Sequence, residues 1–186
     1  MRLFPAFASA LFAIAGSSAS AAPCSVSKEE RAVASELDWE TFDQEGGVRG
    51  SFRDLVEKGC HAAAVEAYRA WLERNRGFPD GRAKGIGMFH IGQSLAFTGN
   101  REGAVMMIEQ SFRDEQVEGQ TAIDWNAYVH GVLGFFAGDA ERIAKARARL
   151  AQSDRTFANR QMTVLAGLRR CLGKPYAEAM SRECRN

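Results

Sequence analysis

The chain has 186 residues, of which 46% are hydrophobic and 25% charged, with a formal net charge of +1. That length suits one domain able to bury a real core. A charge this close to zero argues against nucleic acid, which requires a basic face.

The first residues, "MRLFPAFASALFAIAGSSASAA", have a short basic start at Met1-Arg2, an apolar run from Leu3 to Ala15, and then small residues. This is the layout of an export leader. The apolar run is well short of the roughly 20 residues a membrane-crossing helix needs. The Ala19-Ser20-Ala21 pattern sets the expected cleavage after Ala21, so residues 1–21 are read as a signal peptide and no membrane insertion is expected. Without Arg2, basic and acidic residues balance at 23 each. A periplasmic or secreted location follows as the expectation.

Export decides how the cysteines read. Cys24, Cys60, Cys171 and Cys184 all lie beyond the leader, and four cysteines allow three pairings. None forms CxxC or CxxCH, which disfavours a structural zinc, a thioredoxin-type centre and a c-type haem. The pairings local in sequence, Cys24–Cys60 and Cys171–Cys184, are preferred as structural clips. Loop entropy gives them nearly 4 and about 3 kcal/mol, respectively, if neither is strained.

Residues 22–48 are expected to form an N-terminal segment and capping helix. "SKEERAVASELDWETFDQ" opens with Ser27 three residues before Glu30, a capping box, and reads as one amphipathic helix that Gly46-Gly47 ends. No sustained alternating run of β-branched residues follows, so the expected class is all-α. Beyond residue 48, helical patterns break at Gly59, Gly99, Gly138 and Gly173, which are 40, 39 and 35 residues apart. Asn100 and Asp139, each directly after such a glycine, suit the N-cap of the next helix. Similarity at this period is the mark of stacked helical hairpins.

In "IGQSLAFTGNREGAVMMIEQSF" the pattern is specific. Small or apolar residues fall at Gly92, Leu95, Ala104, Ile108 and Ser111 around the break at Gly99. This resembles the tetratricopeptide repeat, with its small residue in each helix and a bulky residue four beyond the second. The unit before it matches in its second helix (Ala64, Tyr68) but carries Phe52 at a small position. The unit after it has Gly131 and Gly138 but Ile143 where alanine belongs, and the last keeps Gly167. The resemblance spans residues 49–186, and its period, longer than the usual 34, leaves a Sel1-like or irregular helical-repeat variant open. It implies an α-solenoid of stacked antiparallel helical hairpins, clipped by the disulfides, that binds an extended or helical peptide in a concave groove.

Two stripes of one helix face each are candidates for that groove: Ile86, Phe89, Gln93 and Phe97, then Trp125, Tyr128, Val132 and Phe136. The expected ligand-binding residues are Phe89, Gln93, Phe97, Trp125, Tyr128 and Phe136; core packing is the competing reading. The run Arg142, Lys145, Arg147 and Arg149 reads as a solvated face, with Glu141 placed to pair with Lys145.

Catalytic patterns are missing from the sequence. His61, His90 and His130 show no metal-ligand spacing, and there is no GxSxG, phosphate-binding loop or dinucleotide fingerprint. No cofactor or metal is expected. The expected function is therefore non-catalytic protein or peptide binding, or assembly. The competing reading, a small enzyme or accessory subunit acting on cell-wall material, needs a pair such as His90 with His130 brought together in a cleft.

Overall fold

The computed structural model describes residues 24–153 and 155–185; the expected leader and its cleavage point lie outside them. Every regular element among the described residues is helical, and both expected disulfides are present, Cys24–Cys60 and Cys171–Cys184. Among the described residues no helix is long and apolar enough to cross a membrane.

Helix α1 spans Lys28–Ser35, and its capping box forms as expected. The Ser27 hydroxyl accepts from the Glu30 amide at 3.1 Å, and the Ser27 amide donates to Glu30 Oε2 at 2.8 Å. The single helix expected through Gln44 does not occur: α1 stops, and a π-helical turn covers Glu40–Gln44. The reason is tertiary. The Trp71 indole donates to the Leu37 carbonyl at 2.8 Å, and Asp38 caps a new start by accepting from the Thr41 amide at 3.0 Å. Burying Trp39 and Phe42 against the next helices outweighs continuing one amphipathic coil.

Next come α2 (Phe52–Glu57), α3 (His61–Asn75), α4 (Gly81–Phe97), α5 (Arg101–Glu109), the single turn α6 (Glu115–Glu118), α7 (Gln120–Ala137), α8 (Ala140–Leu150) and α9 (Thr156–Arg170). Two short helices, α10 (Tyr176–Ala179) and α11 (Arg182–Arg185), follow. All four glycines expected to break the pattern sit between helices with positive φ. Gly138, for example, caps α7 in the left-handed conformation at φ 72°, which costs glycine little. The expected N-caps also form: the Asn100 carboxamide accepts from the Gly103 amide at 2.9 Å, and Asp139 accepts from the Arg142 amide at 2.8 Å.

Helices joined by these bends pack on each other, α2 on α3, α4 on α5 and α7 on α8, while α3 meets α4 and α8 meets α9. The α4–α5 contact is close because of Gly92. A Cβ there would stand 2.6 Å from Ile108 Cγ1 and 3.0 Å from the Ala104 carbonyl oxygen.

Two groups of buried side chains share α4. On one side, Phe42, Phe52, Tyr68 and Trp71 pack with Ile91; Phe42 and Trp71 stack with centroids 5.3 Å apart. On the other, Val129, Val132, Ile143, Leu150, Leu165 and Leu168 are fully buried around α7. Helix α7 is buried along most of its length, with His130 and the two ends left exposed. The loop before it is fastened by Asn126, whose carboxamide accepts from the Arg113 amide and donates to the Arg113 carbonyl, both at 2.9 Å.

Candidate functional site

The burial of α7 corrects part of the expected groove. Phe89, Trp125 and Tyr128 are in the core, not on an open face. Phe89 lies 5.2 Å from Trp125 and 5.1 Å from Tyr128 between ring centroids, and Phe157 from α9 closes over Trp125. The Trp125 indole donates to the Ser111 carbonyl at 2.7 Å, so its polar edge is consumed inside the fold. Burial also pushes the Tyr128 hydroxyl well above its usual range. The stripe is continuous in sequence, but the neighbouring helices α4 and α9 cover its first half.

Its far end behaves differently. Phe97, at the end of α4, and Phe136, near the end of α7, line an open cleft of about 530 Å³. Phe135 and Tyr176 complete the aromatic walls. Tyr176 is the hub: its ring lies 5.2 Å from Phe97 edge to face, 5.4 Å from Phe136 nearly parallel, and 5.9 Å from Phe135. Such pairs hold each other beyond their simple burial. Gln93, the remaining groove candidate, supports the cleft from behind by donating to the Tyr176 hydroxyl at 2.9 Å. Burial pushes that hydroxyl up to about 12, with the Gln93 bond working slightly against the shift.

The rim is made by the bends themselves. Gly99, Gly138 and Gly173 all line this cleft, so three successive bends meet at one end of the molecule. Arg101 and Lys174 supply the rim's charges, and no carboxylate is among the described residues that line it. Arg101 is anchored by a bond from its guanidinium to the Phe136 carbonyl. The Lys174 ammonium has no partner among the described residues. A second depression of about 450 Å³ shares Arg101, Phe136 and Ala137 with the first and runs on over Val105, Met106 and Leu133.

The sequence offered no warning of Tyr176. It sits in "GKPYAEAM", past the last recognisable repeat feature, inside the loop that Cys171–Cys184 closes.

The histidines are dispersed. His130 lies against Phe112 and near Arg142, whereas His90 pairs with Asp43. Their partners differ, and among the described residues no hydrogen bond or ring contact joins the two. His90 Nδ1 instead lies 3.0 and 2.9 Å from the two carboxylate oxygens of Asp43, a buried residue on the π-helical turn. Arg53 donates to the Asp43 carbonyl at 2.8 Å, and the Gln44 side chain donates to its carboxylate. Phe52 covers one face of the imidazole, with centroids 5.8 Å apart. This pair bridges 47 positions, and no spacing rule would have joined them.

Of the basic run on α8, Lys145 pairs with Glu141 at 2.8 Å as expected. No family model matches the chain, and neither a curated protein nor a solved structure matches it.

Proposed function

We propose that this chain is an exported helical-repeat protein of the tetratricopeptide-like type that binds a protein or peptide partner and carries no catalytic centre. Two disulfides fit an oxidising compartment outside the cytoplasm. Gly92 against Ala104 and Ile108 is the small-residue contact that the family resemblance implies. The observation that carries the binding reading is the cleft lined by half-buried Phe97 and by the edges of the otherwise buried Phe135, Phe136 and Tyr176 at the meeting of three bends. Apolar walls with a few polar groups at the rim are the usual make-up of a ligand site, and rigid aromatics are common binding anchors.

The enzyme reading would have to centre on Asp43 and His90. Neither lines this cleft, the carboxylate is fully buried, and Phe52 blocks one face of the ring. The pair is better read as a tie between the N-terminal segment and α4.

The test is capture of partners from a periplasmic extract by wild-type protein and by a Phe97→Ala/Phe136→Ala variant, with folding checked by circular dichroism. A partner retained by wild type and lost by a folded variant supports the reading. Identical capture by both proteins overturns the cleft as the binding site.

A further inference from the structure

We propose that the groove between α8 and α9 binds a phosphate monoester, apart from the aromatic cleft and independently of the peptide-binding reading. The guanidinium groups of Arg147 and Arg169 hold the phosphate, Arg170 stands beside them, and the organic part of the ester points to solvent.

The groove is open, with a volume of about 430 Å³, and its described lining is Arg147, Ala166, Arg169 and Arg170. Helix packing builds it. A Cβ on Gly131 of α7 would stand 2.6 Å from Leu165 and 3.0 Å from Ala146, so α8 and α9 converge on α7 at these two residues. The next residue on each helix, Arg147 and Ala166, reaches the groove beside that contact. Arg169 and Arg170 follow Ala166 by three and four positions and so share its face of α9. The alanine methyl leaves room beneath them.

The other basic side chains of α8 are occupied. Arg142 donates to His130 Nδ1, Lys145 pairs with Glu141, and Arg149 donates to the Gln152 side chain. Arg147 and Arg169 have no hydrogen-bond or ion-pair partner among the described residues, and the Nε of Arg147 is buried besides. Arg170 gives one N–H to the Cys184 carbonyl at 2.6 Å, which fixes its direction. Three cations at one groove repel one another, and α9 carries no acidic residue to offset them. The C-terminus of α9, near Arg169 and Arg170, supplies only about half a negative charge. An anion between the arginines relieves both the repulsion and the lack of acceptors.

Chemistry narrows the anion. A carboxylate brings one charge and two oxygens, enough for a single guanidinium fork. A phosphate monoester carries about −1.5 to −2 charges at pH 7 and three terminal oxygens, which suits several guanidiniums at once. The walls limit what the phosphate is attached to. No aromatic side chain is among the described lining residues, so nucleic-acid bases have nothing to stack on. The large exposed hydrophobic residues Val33, Met106, Phe112 and Val117 all lie off α8 and α9, so an inserted lipid chain gains no apolar seat. Recognition stops at the phosphate head, which a soluble ester and a lipid headgroup both present.

The experiment titrates the protein with glycerol 3-phosphate and with acetate at constant ionic strength, following the Nε–H signals of Arg147 and Arg169 by NMR. Glycerol 3-phosphate is expected to bind about tenfold more tightly than acetate. Arg147→Gln/Arg169→Gln should weaken it about tenfold, and so should Ala166→Leu, which fills the groove without changing charge. Lys145→Gln/Arg149→Gln removes two charges outside the groove and should leave the affinity within about twofold. Circular dichroism checks that each variant folds. Equal loss in the two charge variants means that only the general field of the basic face acts, and overturns the site. Acetate binding as tightly as the ester, or arginine signals that do not move, overturns it too. Vesicles containing phosphatidic acid or phosphatidylglycerol at equal surface charge separate the sources. Retention on phosphatidic acid alone, lost in Arg147→Gln/Arg169→Gln, places the phosphate on a lipid headgroup. Retention on neither, with glycerol 3-phosphate still bound, places it on a soluble ester, and equal retention on both overturns monoester recognition. Binding of N-acetyl-Ala-phosphoserine-Ala amide about tenfold more tightly than glycerol 3-phosphate identifies a phosphorylated protein instead, and overturns the proposal.

Discussion

Gln93 and Tyr176 are joined by a 2.9 Å hydrogen bond across 83 positions of sequence, and through it α4 holds the far wall of the aromatic cleft. Tyr176 is buried among Phe97, Phe135 and Phe136, so its ring and its hydroxyl contribute separately. Tyr176→Phe keeps the ring and loses the bond; it should cost about 1 kcal/mol in urea unfolding. Removing the clip that folds this segment back tests the same wall from the other side. Cys171→Ala/Cys184→Ala should cost about 3 kcal/mol by loop entropy and also weaken peptide capture. Unchanged capture by the folded double variant would show that the chain end does not build the cleft.

The two ends of the aromatic stripe should separate experimentally. Tyr128→Ala removes a ring that lies in the core beside Phe89, and a loss of about 3–5 kcal/mol is expected. Phe97 is half-buried at the cleft, so Phe97→Ala should cost less stability and more binding. Thermal melts and peptide titrations of the two single variants check the ordering.

These contrasts show what the sequence could and could not carry. Local signals translated directly: Ser27 with Glu30, Asn100 and Asp139 as caps, and the four glycine bends depend on residues a few positions apart. The disulfide pairs were accessible because short loops close more readily than long ones. Periodicity places Phe89, Phe97, Tyr128 and Phe136 on helix faces correctly, but it does not say which helix lies over which face. That is why half of the stripe is core. Tyr176, Arg101 and Lys174 come together only through the way three bends converge, and Asp43 reaches His90 only because α1 ends early.

Asp43 is a buried carboxylate whose ring partner, His90, keeps 18% of its side-chain surface exposed. Removing one member strands the other, which is the costly outcome for buried polar pairs. Asp43→Ala should cost about 2–4 kcal/mol, and Asp43→Asn less, since an amide still meets the imidazole. A double-mutant cycle with His90→Ala measures the tie directly. A coupling near zero would mean that Phe52 and Phe42 hold the N-terminal segment without help from the pair.

Gly92 tests whether α4 and α5 must touch as closely as they do. Alanine normally improves a helix by about 1 kcal/mol over glycine. Here the new methyl would stand 3.0 Å from the Ala104 carbonyl oxygen, which is backbone and cannot swing aside. Overpacking costs about 1–3 kcal/mol, so Gly92→Ala should be destabilising overall. A rise in melting temperature would indicate that the two helices part without penalty.

His61 sets a dependence on pH with a definite sign. Its ring stacks flat on Phe97 with centroids 4.2 Å apart, and its Nδ1 is buried without a partner. Burial pushes its pKa below the usual 6.5. The folded state therefore holds the neutral ring, while the unfolded chain takes up the proton first. That contribution to stability is complete above pH 6.5 and is lost as pH falls through the lowered folded value. The carboxylates Asp38 and Asp54, also held below their usual 3.8, act only in a more acidic range. His61→Phe preserves the stacked ring and removes both the orphan nitrogen and the proton uptake. It should add about 1 kcal/mol at pH 8 and more at pH 5. Urea unfolding of both proteins at the two pH values isolates this one ring, because every other titrating group is common to both. An equal gain at the two values would mean that His61 is protonated as readily in the fold as outside it, and that the wall behind Phe97 is open to water.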